Sequence, residues 1–211
     1  MTAAALPANS ARPLPPPGRV GFFLFLGTEA MLFLALLSAY VVARSSAGPN
    51  WPKPTQALAD GAALMNPWVG GANTALLLAA NVLAAAAARS VAKNDNPGAR
   101  NRLALAFGLG SLFLGVKLWE YSGKVHHHLL PATAGEHLPP VGRLWSSYYF
   151  GLTGLHAAHI VLGLACLLWL LLLAAAGRLA PRGTILAANV ASYWLLVDIV
   201  WLVLFPLLYL A

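Results

Sequence analysis

The sequence predicts an all-α membrane protein built as a bundle of five transmembrane helices, and three observations lead to that prediction. Of the 211 residues, 59% are hydrophobic and only 9% are charged, with a mean hydropathy of +0.70, which is outside the range of soluble globular proteins. Five apolar segments are each long enough to cross about 30 Å of hydrocarbon, which takes about 20 helical residues. Proline and glycine clusters separate these segments.

The elements follow in order along the chain. Residues 1–19 form a proline-rich tail, which we expect to be flexible and cytoplasmic. Residues 20–211 form one transmembrane domain, with spans at about 20–43, 69–92, 101–123, 145–176 and 184–210. The first apolar run has span length, so we expect it to remain uncleaved. At 1.5 Å per residue the fourth span would reach about 48 Å, so it must tilt or protrude.

The distribution of basic residues predicts the orientation in the membrane. Eight Lys and Arg residues fall in the tail and in the second and fourth loops, and four fall in the loops on the opposite side. In the second loop, Asn96-Pro97-Gly98 marks a turn. By the positive-inside rule the N-terminus is cytoplasmic and the C-terminus lies outside. The +7 net charge therefore reports topology rather than nucleic-acid binding.

Charged residues inside the spans are the first candidates for a functional role. Glu29, Glu120 and Asp198 are half of the six acids in the chain, and a carboxylate at the bilayer centre costs about 2.5 to 3.5 kcal/mol even on the insertion scale. Lys117 precedes Glu120 by three residues, so the two share a helix face and can pair. Either this pair has a function, or it only snorkels near a helix end.

The paired histidines of the fourth span, His156 and His159, are the second candidates. Side chains three residues apart lie on one face of a helix and cannot bind a haem from opposite sides. The residues between them are alanines, so a zinc-protease motif is absent. We expect both histidines to form hydrogen bonds with neighbouring helices. His126 to His128 are interpreted as a solvated loop, and Cys166 excludes an internal disulfide.

Small and aromatic residues indicate how the helices pack. Glycines recur in the third and fourth spans and predict close helix contacts: these are Gly108, Gly110, Gly115, Gly151 and Gly154. Aromatic residues near the predicted interfaces, among them Tyr149 and Tyr193, are interpreted as interfacial anchors. Phosphate-binding loops, Cys-x-x-Cys motifs and serine elbows are absent from the sequence. These patterns alone leave a transporter and a subunit of a larger complex as alternatives.

Five motifs in the same order as in one family decide between these alternatives. From about Gly21 onward, the chain resembles subunit III of the haem–copper oxidases in its short five-helix form. The motifs are GTEAMLFLALLSAYV with Glu29 and Tyr40, Asn73-Thr74 before Leu76-Leu77, GSLFLGVKLWEY with Lys117, Glu120 and Tyr121, YYFGLTGLHAAHIVLG with His156 and His159, and YWLLVDIVWLVLF with Tyr193, Trp194, Asp198 and Trp201. The chain departs from the family at Leu195, where a histidine is usual, and at Thr28, where a serine is usual.

The resemblance implies a non-catalytic accessory subunit of a respiratory cytochrome c oxidase-type complex in the inner (cytoplasmic) membrane. Its partner would be the catalytic subunit I, which holds the haem and copper, while this chain would bind no cofactor or metal and would hold structural phospholipid. Glu29 and Tyr40 would line the lipid cleft or support proton uptake and oxygen access. Lys117, Glu120, His156, His159 and Asp198 would form polar contacts between helices.

Two other functions remain open from the sequence. One is an accessory protein of nitric oxide reductase from the same family. The other is an independent proton-coupled transporter in which Glu29, Glu120 and Asp198 form a relay. Transporters usually show paired repeats and broken spans, and the sequence shows neither pattern.

Overall fold

Five long helices make up the structure, a computed structural model that describes residues 17–53, 65–127, 129–131, 140–179 and 183–210. The helices are α1 (Pro17–Ala47), α2 (Pro67–Ala92), α3 (Asn96–His126), α4 (Pro140–Ala175) and α5 (Thr184–Phe205). A 3-10 turn, Gly48–Asn50, follows α1, and a π-helical turn, Pro206–Leu210, extends α5. Each of these five helices is long and apolar enough to cross a membrane. The all-α five-span prediction is confirmed.

Four helices begin earlier than predicted, α1 by three residues and α4 by five, and in α2 and α3 side chains cap the first turns. The side chain of Asn66 accepts hydrogen bonds from the backbone N–H of Trp68 (3.0 Å) and Val69 (3.3 Å) at the start of α2. The carboxylate of Asp95 accepts one from the N–H of Gly98 (2.8 Å). Proline is favoured in a first helical turn, so residues 96–98 begin α3 instead of forming the loop that we predicted.

The N-terminal boundary and the fourth span also differ from the prediction. Residues 1–16 lie outside the described residues, so the tail stays a prediction for them, while residues 17–19 belong to α1. Helix α4 has 36 residues, which correspond to about 54 Å at 1.5 Å per residue. It is therefore longer than the bilayer core and must tilt or protrude, as expected.

Helices α2 to α5 form the packed body of the bundle, and α1 lies at its edge. Helix α2 packs on α3 and α5, α4 packs on α3 and α5, and α1 contacts α4 and α5. Of the described side chains of α1, only Phe33 and Tyr40 are buried. Most of the α1 surface is therefore apolar and exposed.

One tryptophan of α5 requires glycine on two neighbouring helices. A Cβ atom added at Gly110 would lie 2.9 Å from Cη2 of Trp194, and one added at Gly163 would lie 3.2 Å from its Nε1. The indole N–H donates to the carbonyl of Gly163 (3.3 Å). Among the glycines predicted to permit close packing, only Gly110 has such a neighbour; the other four have open space within 4 Å.

Candidate functional site

The largest group of polar side chains inside the bundle is a charged cluster that joins α3, α4 and the π-helical turn. We define it as Lys117, Glu120, Lys124, Tyr149 and Tyr209. The Lys117 ammonium lies 3.0 Å from Oε2 of Glu120, 2.8 Å from the Tyr209 hydroxyl and 3.3 Å from the Tyr149 hydroxyl. Lys124 lies 3.7 Å from Oε1 of Glu120. The predicted Lys117–Glu120 pair is present in the structure.

Both carboxylate oxygens of Glu120 accept a phenolic hydrogen bond as well. Tyr149 donates to Oε1 (2.9 Å) and Tyr209 to Oε2 (2.6 Å). Lys117 is 3% exposed and lies over four aromatic rings, those of Tyr121, Tyr149, Trp201 and Tyr209, at 5.3 to 5.4 Å. Hydrogen bonds and cation–π contacts of this kind compensate the loss of hydration of a buried charge. The charged cluster therefore links the helices, and the protein itself supplies the partners of its charged groups.

A second polar pair connects α1 to α4. Nε2 of His159 lies 2.8 Å from Oε2 of Glu29, and Nδ1 of His159 lies 2.8 Å from the carbonyl oxygen of Leu155. A carbonyl can only accept, so Nδ1 carries a proton. The short contact to Glu29 then needs a second proton, either on Nε2 or on the carboxyl group. In both forms the pair has zero net charge, which lowers its cost inside a membrane.

Packing around His159 fixes the position of this pair. The ring of Phe33 meets the imidazole edge-on at 5.0 Å, and the Tyr193 hydroxyl donates to the backbone carbonyl of His159 (3.0 Å). The Glu29 side chain is 20% exposed and the His159 side chain 12%. The pair therefore sits near the surface of the bundle, and the expectation of an interhelical hydrogen bond is confirmed for His159.

Asp198, the third intramembrane acid, pairs with an amide instead of a cation. Its Oδ2 accepts a hydrogen bond from Nδ2 of Asn81 on α2 (2.8 Å). The residue is 2% exposed, and its Oδ1 has no hydrogen-bond partner among the described residues.

Leu195, at the position where the resembling family has histidine, lies one turn before Asp198 on α5 and is 51% exposed. A histidine at this position would point toward the outside of the bundle.

His156 does not form the hydrogen bonds that we expected, and that prediction is wrong for it. The residue is 1% exposed, yet within the described residues neither ring nitrogen has a partner. The ring instead stacks on Trp201 (5.1 Å) and meets Phe113 edge-on (5.9 Å). Aromatic packing therefore determines its position.

Tyr40, which we expected near a lipid cleft, lies in the interior. It is 1% exposed, and its hydroxyl donates to the carbonyl of Leu207 (3.1 Å). Its ring also meets Trp51 and Tyr148 edge-on. Tyr40 thus attaches α1 to the π-helical turn that follows α5.

Several functional partners were missed by the sequence reasoning. Tyr149 was interpreted as an interfacial anchor, although its hydroxyl binds Glu120, and Tyr209, Lys124 and Asn81 were not singled out. Asn81 offered a usable signal, because it is a polar side chain in the middle of an apolar run. The part of the chain that the structure describes contains no group of three or more His, Cys, Asp or Glu placed to hold a metal ion. His128 is outside the described residues.

Comparisons with known proteins extend over nearly the whole chain. The family model described as cytochrome c oxidase subunit III matches residues 16–211. The chain is 28% identical to a probable cytochrome c oxidase subunit 3 of Mycobacterium tuberculosis H37Rv, with 90% of this chain and 86% of the relative covered. It is 29% identical to cytochrome c oxidase subunit 3 of Synechocystis, with 90% and 74% covered. A third relative of that name, from Corynebacterium diphtheriae, is 28% identical, with 90% and 86% covered.

Proposed function

Since this chain belongs to the cytochrome c oxidase subunit III family, we propose that it is the non-redox accessory subunit III of a respiratory haem–copper terminal oxidase. The observation that carries this proposal is the family match over residues 16–211, which includes all five spans. Subunit III implies a complex with a catalytic subunit, and aerobic respiration and proton translocation follow from the family. The accessory subunit would stabilise its partner, because binding only to the folded assembly adds to the stability of that assembly.

We assign haem and copper to the catalytic subunit. The hydrogen bonding of His159 supports this assignment, because both of its ring nitrogens are engaged, one by the Leu155 carbonyl and the other by Glu29. An axial haem ligand needs a free ring nitrogen. His156 stacks on Trp201 and meets Phe113 edge-on, so these two rings occupy the space on two sides of its own ring.

We also propose that phospholipid lies along α1 and that Glu29 supports proton uptake and oxygen access from this side. Two features support the proposal. Of the described α1 side chains only Phe33 and Tyr40 are buried, and most of the exposed ones are apolar, so acyl chains can cover this surface. Beside this surface the Glu29–His159 pair is partly exposed, and a 2.8 Å contact joins its imidazole and carboxyl groups. Tyr40 contributes by fixing α1 to α5 rather than by contacting lipid.

The chain is a multi-pass membrane protein, and we place it in the inner (cytoplasmic) membrane. An odd number of spans puts the two ends on opposite sides. The excess of basic residues in the tail and in the second and fourth loops supports a cytoplasmic N-terminus.

Purification from native membranes tests the proposed function. The chain is tagged in its N-terminal tail and extracted in mild detergent, and a reduced-minus-oxidised spectrum is recorded together with mass spectrometry of the co-purifying chains. We expect haem absorbance and a haem–copper catalytic subunit. A nitric oxide reductase as partner would replace this function by the accessory role in that enzyme. A chain that purifies alone and colourless would favour the transporter.

A further inference from the structure

An open groove runs along the surface of the bundle between α2 and α5. Its volume is about 320 Å³, and it is lined by Asn81, Val82, Ala85, Ala191, Ser192 and Leu195. Val82 and Leu195 are 66% and 51% exposed. The three small residues leave the two helix backbones accessible from outside, and such surfaces permit another transmembrane helix to approach closely.

One polar group at this groove, the side-chain carbonyl of Asn81, has no hydrogen-bond donor within the described residues. Asn81 makes one side-chain hydrogen bond within the described residues, from Nδ2 to Oδ2 of Asp198, and this leaves its own carbonyl oxygen without a donor. Asp198, its partner on α5, is 2% exposed and does not line the groove, so the accessible acceptor is the Asn81 carbonyl oxygen. In hydrocarbon an acceptor without a donor costs several kcal/mol. The groove therefore requires a hydrogen-bond donor from outside the chain.

The depth of Asn81 in the membrane decides which molecule can supply that donor. Asn81 follows 14 residues of α2 and precedes 11, since the helix runs from Pro67 to Ala92. At 1.5 Å per residue it is about 16 Å or more from either end of the helix, near the middle of the hydrocarbon. Lipid headgroups do not reach this depth, and acyl chains carry no donor. A side chain on a transmembrane helix does reach it.

We propose that this groove is the docking site for a transmembrane helix of the catalytic subunit, which places a hydroxyl, amide or imidazole donor against Asn81. The proposal rests on the proposed function, because that function supplies the partner. Ala85, Ala191 and Ser192 allow the close approach, and the donor satisfies the carbonyl oxygen of Asn81. The docked helix removes the polar site from contact with lipid.

Photo-crosslinking in the intact complex tests the docking site. A benzophenone amino acid replaces Val82 at the groove edge, and a second chain carries it at Leu112, which is 52% exposed on α3 at similar depth. After illumination in native membranes, we expect an adduct with the catalytic subunit at Val82 in at least about tenfold higher yield than at Leu112. Equal yields, an adduct with a second copy of this chain, or adducts with lipid alone would overturn the proposal.

Two variants test the energetic role of the groove. Leu195→Trp fills the groove, and Leu112→Trp adds the same side chain on α3. The double change Asn81→Leu with Asp198→Leu removes both polar partners at once, which leaves neither group buried without a partner. We expect Leu195→Trp and the double variant to reduce co-purification of the catalytic subunit about threefold or more, as for loss of an interhelical hydrogen bond. Leu112→Trp should not change it.

The same experiments separate the docking site from the proposed function. If the unmodified chain co-purifies with the catalytic subunit but the groove variants do so equally well, the docking site is wrong and the function stands. If the unmodified chain carries no catalytic subunit, both are wrong. Each variant is first shown by circular dichroism to retain the helicity of the unmodified chain, so that a lost partner is not mistaken for a lost fold.

Discussion

Replacing Glu120 by glutamine removes the single carboxylate around which the charged cluster is arranged. In the structure two lysine ammonium groups and two tyrosine hydroxyls lie within 3.7 Å of the oxygens of this carboxylate. Glutamine has nearly the same shape, so the change tests the charge and not the packing. We expect the substitution to destabilise the folded chain strongly.

The burial of Lys117 sets the size of the effect. At 3% exposure this residue has Glu120 as its acidic partner among the described residues. Removing one member of a buried pair costs about 3 to 5 kcal/mol. The glutamine carbonyl can still accept one hydroxyl hydrogen bond, so we expect about 3 kcal/mol. For a chain of this length, 1 kcal/mol shifts Tm by about 2 to 4 °C, which predicts a decrease of about 6 to 12 °C.

Thermal unfolding in detergent, followed by circular dichroism, measures this decrease. The matched control is the double change Lys117→Met with Glu120→Leu, which removes the Lys117–Glu120 pair and leaves one lysine, Lys124, in the cluster, whereas Glu120→Gln leaves two. Such apolar replacements of buried pairs are often neutral or stabilising, so the double variant should be more stable than Glu120→Gln. A Tm decrease below about 2 °C for Glu120→Gln, or a double variant that is less stable than the single one, would refute the reasoning.

Four further predictions concern other parts of the bundle. Glu29→Gln should give a folded and assembled complex whose oxidase activity is lost faster during turnover; failure to assemble would instead show that the Glu29–His159 pair anchors α1. His159→Leu should weaken helix packing by about 0.6 to 2 kcal/mol without changing the haem spectrum of the complex. Gly110→Ala should lower the free energy of unfolding by about 1 to 3 kcal/mol, because the added Cβ would lie 2.9 Å from the indole ring of Trp194. The control Gly115→Ala, where the added Cβ has open space, should be neutral or stabilising in the same thermal unfolding assay. His156→Phe should leave Tm within about 2 °C, since the ring makes only stacking contacts within the described residues; a large decrease would reveal a hydrogen bond to that ring.

The helices could be predicted from the sequence because a membrane imposes a simple rule on them. Each span must be about 20 apolar residues long, and the chain satisfies this five times. The Lys117–Glu120 pair could also be predicted, since neighbours at i and i+3 meet on any helix. Both predictions depend on short-range geometry that is independent of how the helices pack.

The contacts between helices could not be predicted in the same way. The partners of Glu120 include Tyr209, 89 residues later, and the partner of Glu29 is His159, 130 residues later. Their meeting depends on the rotation of each helix about its axis, and an apolar helix surface does not encode this rotation. For the same reason His156 and His159, three residues apart, differ: one ring faces Glu29 and the other faces aromatic rings.

The edge position of α1 has a consequence for the biogenesis of the protein. The hydroxyl of Tyr40 binds the carbonyl of Leu207, which is synthesised 167 residues later. At about 5 to 20 residues per second, the ribosome needs about 8 to 30 s to reach it. During this interval α1 is already in the bilayer, while α4 and then α5, the helices that it contacts, are still being synthesised. Its high hydropathy of 2.1 keeps it inserted on its own. The contact between Tyr40 and Leu207 therefore forms only after translation of α5 is finished, and until then the bilayer holds α1 as an inserted helix.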